Sequence, residues 1–236
     1  LGEKIEYSFV KTFNQYTKEK ITVVLATSLI KKVFSKNFFN VENENDLDIF
    51  KVSDSKIPYY ITSSFKGVDF ENLKYERIWD EAPLPIENPE NAFRVILGDF
   101  VTTEDGTGIV HTAPTFGADD YKAAKTAKPE VPPLLVLDKN GNKVPLVDLK
   151  GKFIDNIGVI SGKYVKNEYY KEDKIPEKSV DVEIAIKLKE KNLAFKVERY
   201  SHSYPHCWRT DKPVLYYPME SWFIKVSDLS ERMFNL

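Results

Sequence analysis

The stretch TTEDGTGIVHTAPTFGADDY, residues 102–121, guides the interpretation of the whole chain. Residues 104–106, Glu-Asp-Gly, predict a turn, because glycine adopts positive φ without steric cost and aspartate is common in turns. The next residues favour a strand that ends at His111 and Thr112, since Pro114 cannot donate to a sheet ladder. Residues 118–125 then predict a helix. We therefore expect the end of a strand and the start of a helix to hold polar side chains near one another.

Two interpretations of these polar residues are open from the spacing alone. Asp119 or Asp120 could simply cap the helix, which is worth about 1 kcal/mol. His111 could likewise be a buried, hydrogen-bonded histidine. Alternatively, the same side chains line a pocket for a ligand. Spacing by itself favours the structural interpretation.

The stretch resembles the signature Gly-Thr-Gly-Ile-Val-His-Thr-Ala-Pro-x-x-Gly-x-Asp-Asp-Tyr of the editing domain of isoleucyl-tRNA synthetases. The matching positions are Gly106, Thr107, Gly108, Val110, His111, Thr112, Ala113, Pro114, Gly117, Asp119, Asp120 and Tyr121. Many family members have a second histidine at the position of Phe116, so the role of that histidine cannot be assigned to this chain. Residues 201–210, SHSYPHCWRT, resemble the segment in which the inserted editing domain returns to the aminoacylation domain, and residues 221–226 continue that resemblance.

The resemblance implies a fold of the α/β class that is rich in β structure. It would have a barrel-like mixed sheet core with peripheral helices, as in the editing domains of class I valyl-, isoleucyl- and leucyl-tRNA synthetases. Residues 1–199 would form the domain and residues 200–236 the return linker. Local patterns predict several elements. They are strands over 6–10, 21–26, 38–41, 59–65, 92–103 and 193–197, helices over 28–34, 118–125 and 179–192, and a hairpin of residues 134–137 with 144–147.

Composition places limits on the class of protein. Of 236 residues, 42% are hydrophobic and 30% are charged, as in ordinary globular proteins. No run approaches the roughly 18 apolar residues of a membrane span, so no membrane partner is expected. The net charge of −2 gives no general attraction to nucleic acid. The single cysteine, Cys207, and the lack of a signal peptide favour a cytoplasmic location.

We expect no metal and no cofactor in this region. His206 and Cys207 are adjacent, but a structural zinc site needs four ligands, usually including several thiolates. In the family, ATP and magnesium belong to the aminoacylation domain. The absence of an initiator methionine and the abrupt end at Leu236 suggest a piece of a longer chain.

The resemblance also implies a reaction, the hydrolysis of valyl-tRNA(Ile). A pocket sized for isoleucine also admits valine, because one methylene is worth only ~1–3 kcal/mol, a limit for which this family is the standard example. Asp120 matches the family residue that binds the α-ammonium group of the ester, and we expect it to be the catalytic residue. His111 matches the residue that shapes the side-chain pocket. We expect Thr112, Gly117 and Asp119 to bind substrate, and the partners to be the acceptor end of tRNA(Ile), its valine moiety and the rest of the synthetase.

Two alternative functions stay open. The chain could be an insertion that presents tRNA without cleaving it, or the editing domain of a valyl or leucyl relative. The family also uses a threonine-rich segment, Thr-Thr-Thr-Pro-Trp-Thr-Leu-Pro-Ser-Asn, just upstream of the position of Leu1. Its hydroxyl groups contact the terminal adenosine and the water, so we expect this chain alone to hydrolyse poorly.

Overall fold

The computed structural model describes residues 1–199, 201–219, 221–222 and 224–234. Its centre is a four-stranded sheet with the strand order β2-β1-β4-β3. The strands are β1 (Glu6–Phe13), β2 (Lys20–Ala26), β3 (Phe38–Asn40) and β4 (Ile57–Lys66). β1 is antiparallel to both of its neighbours, whereas β3 is parallel to β4. The predicted strands over 6–10, 21–26, 38–41 and 59–65 are therefore confirmed.

Apolar side chains of these strands form the main core. Val10, Leu25 and Tyr59 are buried together with Ile30 and Phe34 from the segment after β2. At one end of the sheet a second cluster contains Phe13 and Ile57, and at the other end a third contains Tyr7, Ala26 and Leu29. A bulge opposite Phe9 and Val10 places Thr62 out of register on β4. The end of the sheet with Tyr7 is the end that receives residues 104–108.

The helices and the hairpin lie around this sheet. A 3₁₀ turn (Thr27–Leu29) leads into α1 (Ile30–Val33), and three later helices follow. These are α2 (Ala118–Thr126), α3 (Val180–Glu190) and α4 (Ser230–Phe234). Strands β5 (Leu135–Leu137) and β6 (Lys143–Pro145) form the predicted antiparallel hairpin. The mixed α/β class is thus confirmed, and so are the three predicted helices in position. In these described ranges no helix has the length and apolar character that crossing a membrane requires.

The prediction of a barrel-like core was wrong in one respect. In the described residues the sheet is open, because its edge strands β2 and β3 do not pair with each other. Residues 92–103, predicted to be a strand, form only one isolated bridge, between Lys74 and Arg94. Phe93 has a φ of 52°, which interrupts the extended conformation there. The segment therefore cannot extend the sheet towards closure.

Residues 193–197 also form no strand. Side chains of the β1–β2 turn bind the backbone of this segment: Asn14 Nδ2 donates to the Ala194 carbonyl at 3.0 Å and Gln15 Nε2 donates to the Phe195 carbonyl at 2.6 Å. The alternating apolar pattern that predicts a strand here instead packs Phe195 against Phe34 and Phe38. Tyr200, Glu220, Phe223, Asn235 and Leu236, which fall in the predicted return linker, lie outside the described residues.

Candidate functional site

The turn of residues 104–108 is attached to the end of the central sheet. The Ala26 backbone N–H donates to the Thr107 carbonyl at 2.8 Å. Lys32 Nζ donates to Asp105 Oδ1 at 2.6 Å and to the Glu104 carbonyl at 3.1 Å. The hydrogen bond from Lys32, together with its charge, lowers the pKa of the Asp105 carboxyl group below its ordinary value. The predicted turn thus acquires a fixed position by contacts with β2 and α1.

A buried tyrosine on β1 also joins this turn to the sheet through a hydrogen bond. The Tyr7 hydroxyl donates to the Gly108 carbonyl at 2.7 Å and accepts from the Gly2 N–H at 2.8 Å, and the residue is fully buried. Burial raises the pKa of the Tyr7 phenol, so the hydroxyl stays protonated and can donate. Gly108 has a φ of 72°, and a Cβ built there would lie 2.5 Å from Cβ of Ala26. Both features require glycine at this position.

Beyond Gly108 the chain differs from the prediction. Residues 109–113 form no strand in the structure, so the expected strand ending at His111 was wrong. The hydrogen bonds that join this part of the chain to Ala26 and Tyr7 are made at Thr107 and Gly108, before these residues. His111 is exposed, and Thr112 is half-buried. Thr115 is buried again, and its hydroxyl oxygen accepts from the Leu134 N–H at 2.9 Å.

Asp120 lies in the first turn of α2, and its side chain contacts the backbone at Ala113. Its Oδ2 accepts a hydrogen bond from the Ala113 N–H at 3.1 Å. The N-cap residue of α2 is Gly117, which has no side chain to cap the helix, and a Cβ built on Gly117 would lie 2.8 Å from the same Oδ2. The half-buried carboxylate therefore folds over Gly117 and holds the loop of residues 113–120 closed.

The structure brings some of the predicted site residues together and separates others. Asp120 and Gly117 lie in the loop of residues 113–120, and Thr112 and then His111 come just before it in the chain. Asp119 is exposed on α2. A groove of about 500 Å³ runs between α3 and residues 193–198, with Gly106 and Thr107 in its wall, but His111 and Asp120 do not line it. The roles assigned to the five predicted residues stay predictions.

Sequence reasoning missed Tyr7 and the contact between Phe116 and Tyr217. These two rings meet edge to face with centroids 6.1 Å apart, and the Tyr217 hydroxyl donates to the Val147 carbonyl at 3.0 Å. The C-terminal segment thereby contacts the candidate site. No local pattern signals either contact, because each joins residues about a hundred positions apart.

The segment with His206 and Cys207 forms a short ribbon. An isolated bridge joins His206 to Pro213, and the Cys207 N–H donates to the Lys212 carbonyl at 2.8 Å. A hydrogen bond from the Thr210 side chain lowers the pKa of the Cys207 thiol. Among the residues with described positions, no group of three or more His, Cys, Asp or Glu side chains could hold a metal ion.

Known proteins are similar to this chain over its whole length. No protein-family model matches it. It is, however, 49% identical to an isoleucine–tRNA ligase of Cytophaga hutchinsonii. It is 44% identical to isoleucine–tRNA ligases of Bacteroides fragilis and of Porphyromonas gingivalis. These matches cover 99–100% of the chain and 21% of the length of each relative.

The relatives and the signature together place the chain among aminoacyl-tRNA ligases. More narrowly, it belongs to the isoleucine–tRNA ligase family over the region that it covers, and it spans about one fifth of the length of those relatives.

Proposed function

We propose that this chain is the region of an isoleucine–tRNA ligase that hydrolyses valine from mischarged tRNA(Ile) in the cytoplasm. The observation that carries the proposal is the orientation of Asp120, whose carboxylate faces the loop that follows His111 and bonds the Ala113 N–H. Homology to isoleucine–tRNA ligases over the full chain supports the choice of tRNA as substrate. It also supports the inference that this region contacts the rest of the ligase, to which it is joined in one chain. The same homology supports an editing-domain fold around the open sheet.

Asp120 can recognise the one group that every aminoacyl ester carries, the α-ammonium. Oδ2 accepts one backbone N–H, and an ionised carboxylate can accept further hydrogen bonds. A bond to an ammonium group would be charge-assisted and stronger than a neutral one. The position near the N-terminus of α2 favours a negative charge at this residue. The half-buried location of Asp120 reduces the screening of that charge by water.

Hydrolysis of an aminoacyl ester needs little acid–base power from the protein because the ester is already activated. Positioning of the ester and of a water molecule is the main requirement. The loop of residues 113–120 and the two residues before it would hold the ester, with Asp120 at the ammonium group and His111 beside the amino-acid side chain. The family resemblance implies that a pocket here admits valine and excludes the extra methylene of isoleucine. Thr112, Gly117 and Asp119 complete this proposed contact surface.

A deacylation assay tests the proposal with a substitution that removes charge and keeps shape. Asp120→Asn retains an oxygen that can accept from the Ala113 N–H, so the loop should keep its conformation. We expect hydrolysis of valyl-tRNA(Ile) to fall about 10–100-fold, since hydrogen bonds to charged groups contribute roughly 1.5–3 kcal/mol. The matched control is Asp181→Asn, an exposed aspartate in the first turn of α3, which should deacylate like the parent.

The assay should use this chain and also the Cytophaga hutchinsonii ligase with this chain in place of the matching region. Equal rates for the parent and Asp120→Asn would refute the role of the carboxylate. A parent that binds tRNA and never deacylates it would indicate the non-cleaving, tRNA-presenting alternative. Preferential hydrolysis of threonyl-tRNA(Val) or of a mischarged tRNA(Leu) would indicate a valyl or leucyl editing function.

A further inference from the structure

Helix α2, which carries Asp120 in its first turn, buries very little of its own surface. Ala124 is the one buried residue among the nine of this fully described helix. A single methyl group contributes little apolar contact, so packing alone does not fix the direction of the helix. Its orientation therefore depends on hydrogen bonds near its two ends. At the first turn that bond runs from the Ala113 N–H to Asp120 Oδ2.

The other end of α2 is joined to a buried arginine. The Val131 N–H donates to the Ala124 carbonyl at 3.0 Å, which folds the chain back after the helix. Between these residues, the Pro129 carbonyl accepts a hydrogen bond from Nη2 of Arg94. Arg94 is only 8% exposed, so its guanidinium group is largely shielded from water.

The Arg94 guanidinium joins three separate segments of the chain. Besides the bond to Pro129, Nη1 donates to Asn72 Oδ1 at 2.5 Å and Nε donates to the Asn91 carbonyl at 3.1 Å. The segments that contain Asn72 and Arg94 also pair through their backbones, since the Asn72 N–H donates to the Val95 carbonyl at 2.9 Å. The end of α2 is thus tied to a pair of segments outside the helix.

This pair of segments is itself attached to the central sheet. Phe70, two residues before Asn72, stacks on Phe65 of β4 with ring centroids 3.7 Å apart. Its ring also lies 5.7 Å from that of Phe9 on β1. Arg94 therefore completes a connection that runs from the sheet to the far end of the helix.

The arrangement of these acceptors suits a guanidinium group. They are two backbone carbonyls and one amide oxygen, and among the described residues no carboxylate forms an ion pair with Arg94. Burial lowers the pKa of Arg94, and the charge of Glu71 opposes that effect. A buried cation without an ion pair is unfavourable, so charge pairing does not explain this residue. A planar fork with five N–H donors can serve three acceptors at once, whereas a lysine ammonium is a single point.

We propose that Arg94 is a positioning residue for Asp120, because it fixes the far end of α2 and with it the direction of the carboxylate at the first turn. This inference rests on the proposed function, in which Asp120 binds the ammonium group of the ester. A helix of nine residues is about 13 Å long, so Arg94 would act through the helix and not by contact with the substrate. A displacement of about 1 Å in such a positioning element can cost up to about 100-fold in rate.

Single-turnover deacylation of valyl-tRNA(Ile) by the Cytophaga hutchinsonii ligase that carries this chain tests the proposal. Arg94→Met removes all three hydrogen bonds and keeps an unbranched side chain. We expect the rate constant at saturation to fall about tenfold and the half-saturating concentration to stay within about twofold, because Arg94 would not touch the substrate. Arg94→Lys should resemble Arg94→Met, and a parent-like Arg94→Lys would overturn the proposal.

A double-mutant cycle separates positioning from general damage. In the Asp120→Asn background, Arg94→Met should change the rate by less than about twofold, because the residue through which it acts is already altered. Equal losses in both backgrounds would overturn the proposal. The matched control is Arg77→Met, since Arg77 also donates to backbone carbonyls, those of Asp80 and Ala82, and neither belongs to α2. It should deacylate within about twofold of the parent.

Amide hydrogen exchange of this chain reports the same effect without any reaction. The Ala113 N–H is bonded to Asp120, so we expect it to exchange about tenfold faster in Arg94→Met, while the amides of β1 exchange as in the parent. Asn72→Gly is a milder variant in case Arg94→Met folds poorly. It removes one of the three acceptors, and glycine tolerates the φ of 65° at this position. It should accelerate exchange at Ala113 by about threefold.

The outcomes keep this proposal apart from the proposed function. If the parent never deacylates, the editing function fails, and exchange at Ala113 still decides whether Arg94 positions Asp120. If the parent deacylates and Arg94→Met changes neither the rate nor that exchange, the positioning role is refuted and editing stands. Equal acceleration at Ala113 and in β1 would also refute it, because global opening would then be the cause.

Discussion

Replacement of Tyr7 by phenylalanine removes a single oxygen that joins the sheet to the candidate site. The hydroxyl is fully buried and makes two hydrogen bonds, to the Gly108 carbonyl at 2.7 Å and from the Gly2 N–H at 2.8 Å. Without it, a buried acceptor and a buried donor lose their partners, at a cost of roughly 1–3 kcal/mol each. We expect Tyr7→Phe to lower the free energy of unfolding by about 2–4 kcal/mol. That loss leaves a protein of ordinary stability folded.

The same substitution should affect the reaction, because Gly108 lies three residues before His111. A displacement of about 1 Å in a positioning element can cost up to about 100-fold in rate. Urea unfolding measures the change in stability, and single-turnover deacylation of valyl-tRNA(Ile) measures the change in rate. We expect the rate to fall and the discrimination against isoleucyl-tRNA(Ile) to weaken as well.

Thr12→Val is the matched control for Tyr7→Phe. Thr12 is also buried on β1, and its hydroxyl donates to the Pro58 carbonyl at 2.8 Å, near the other end of the strand. It should lower stability by about 1–3 kcal/mol and leave deacylation unchanged. If both variants lose activity in proportion to their stability, or if Tyr7→Phe loses neither, then the tyrosine does not position the loop.

Two further predictions concern the turn of residues 104–108. Gly108→Ala should destabilise the protein more than Gly106→Ala: both positions have positive φ, but a Cβ at 108 would lie 2.5 Å from Cβ of Ala26, whereas nothing lies within 4 Å of one at 106. Equal thermal midpoints for the two variants would contradict the close packing. Lys32→Met should lower the urea midpoint at about pH 7, and this difference should shrink as the pH is lowered below 3.8, the ordinary pKa of aspartate. The lowered pKa of Asp105 means that its ion pair stabilises the fold above that pH and loses this contribution as the pH falls through the pKa of the folded protein. A difference of the same size at neutral and at acidic pH would show that the ion pair is not its cause.

Local patterns predicted the regular elements well. Strands β1, β2 and β4, the hairpin of β5 and β6, and helices α2 and α3 all lie where periodicity and turn residues place them. Each depends on contacts within a few residues or with the adjacent strand. The segments over 92–103 and 193–197 have the same apolar character and yet form no strand. Phe93 interrupts the first with a positive φ, and side chains of Asn14 and Gln15 bind the backbone of the second.

The amino-acid sequence by itself determined the family and the residues of the candidate loop, since the signature of residues 106–121 is specific and the glycines at 106 and 108 need a backbone that other residues avoid. The tertiary structure decided where that loop lies and how it is held. Tyr7 reaches Gly108 across 101 residues of chain, and Phe116 meets Tyr217 across a similar separation. The sheet is likewise open because its edge strands β2 and β3 do not pair with each other. Such contacts depend on the packing of whole elements against one another, and no spacing within a short stretch of sequence records them.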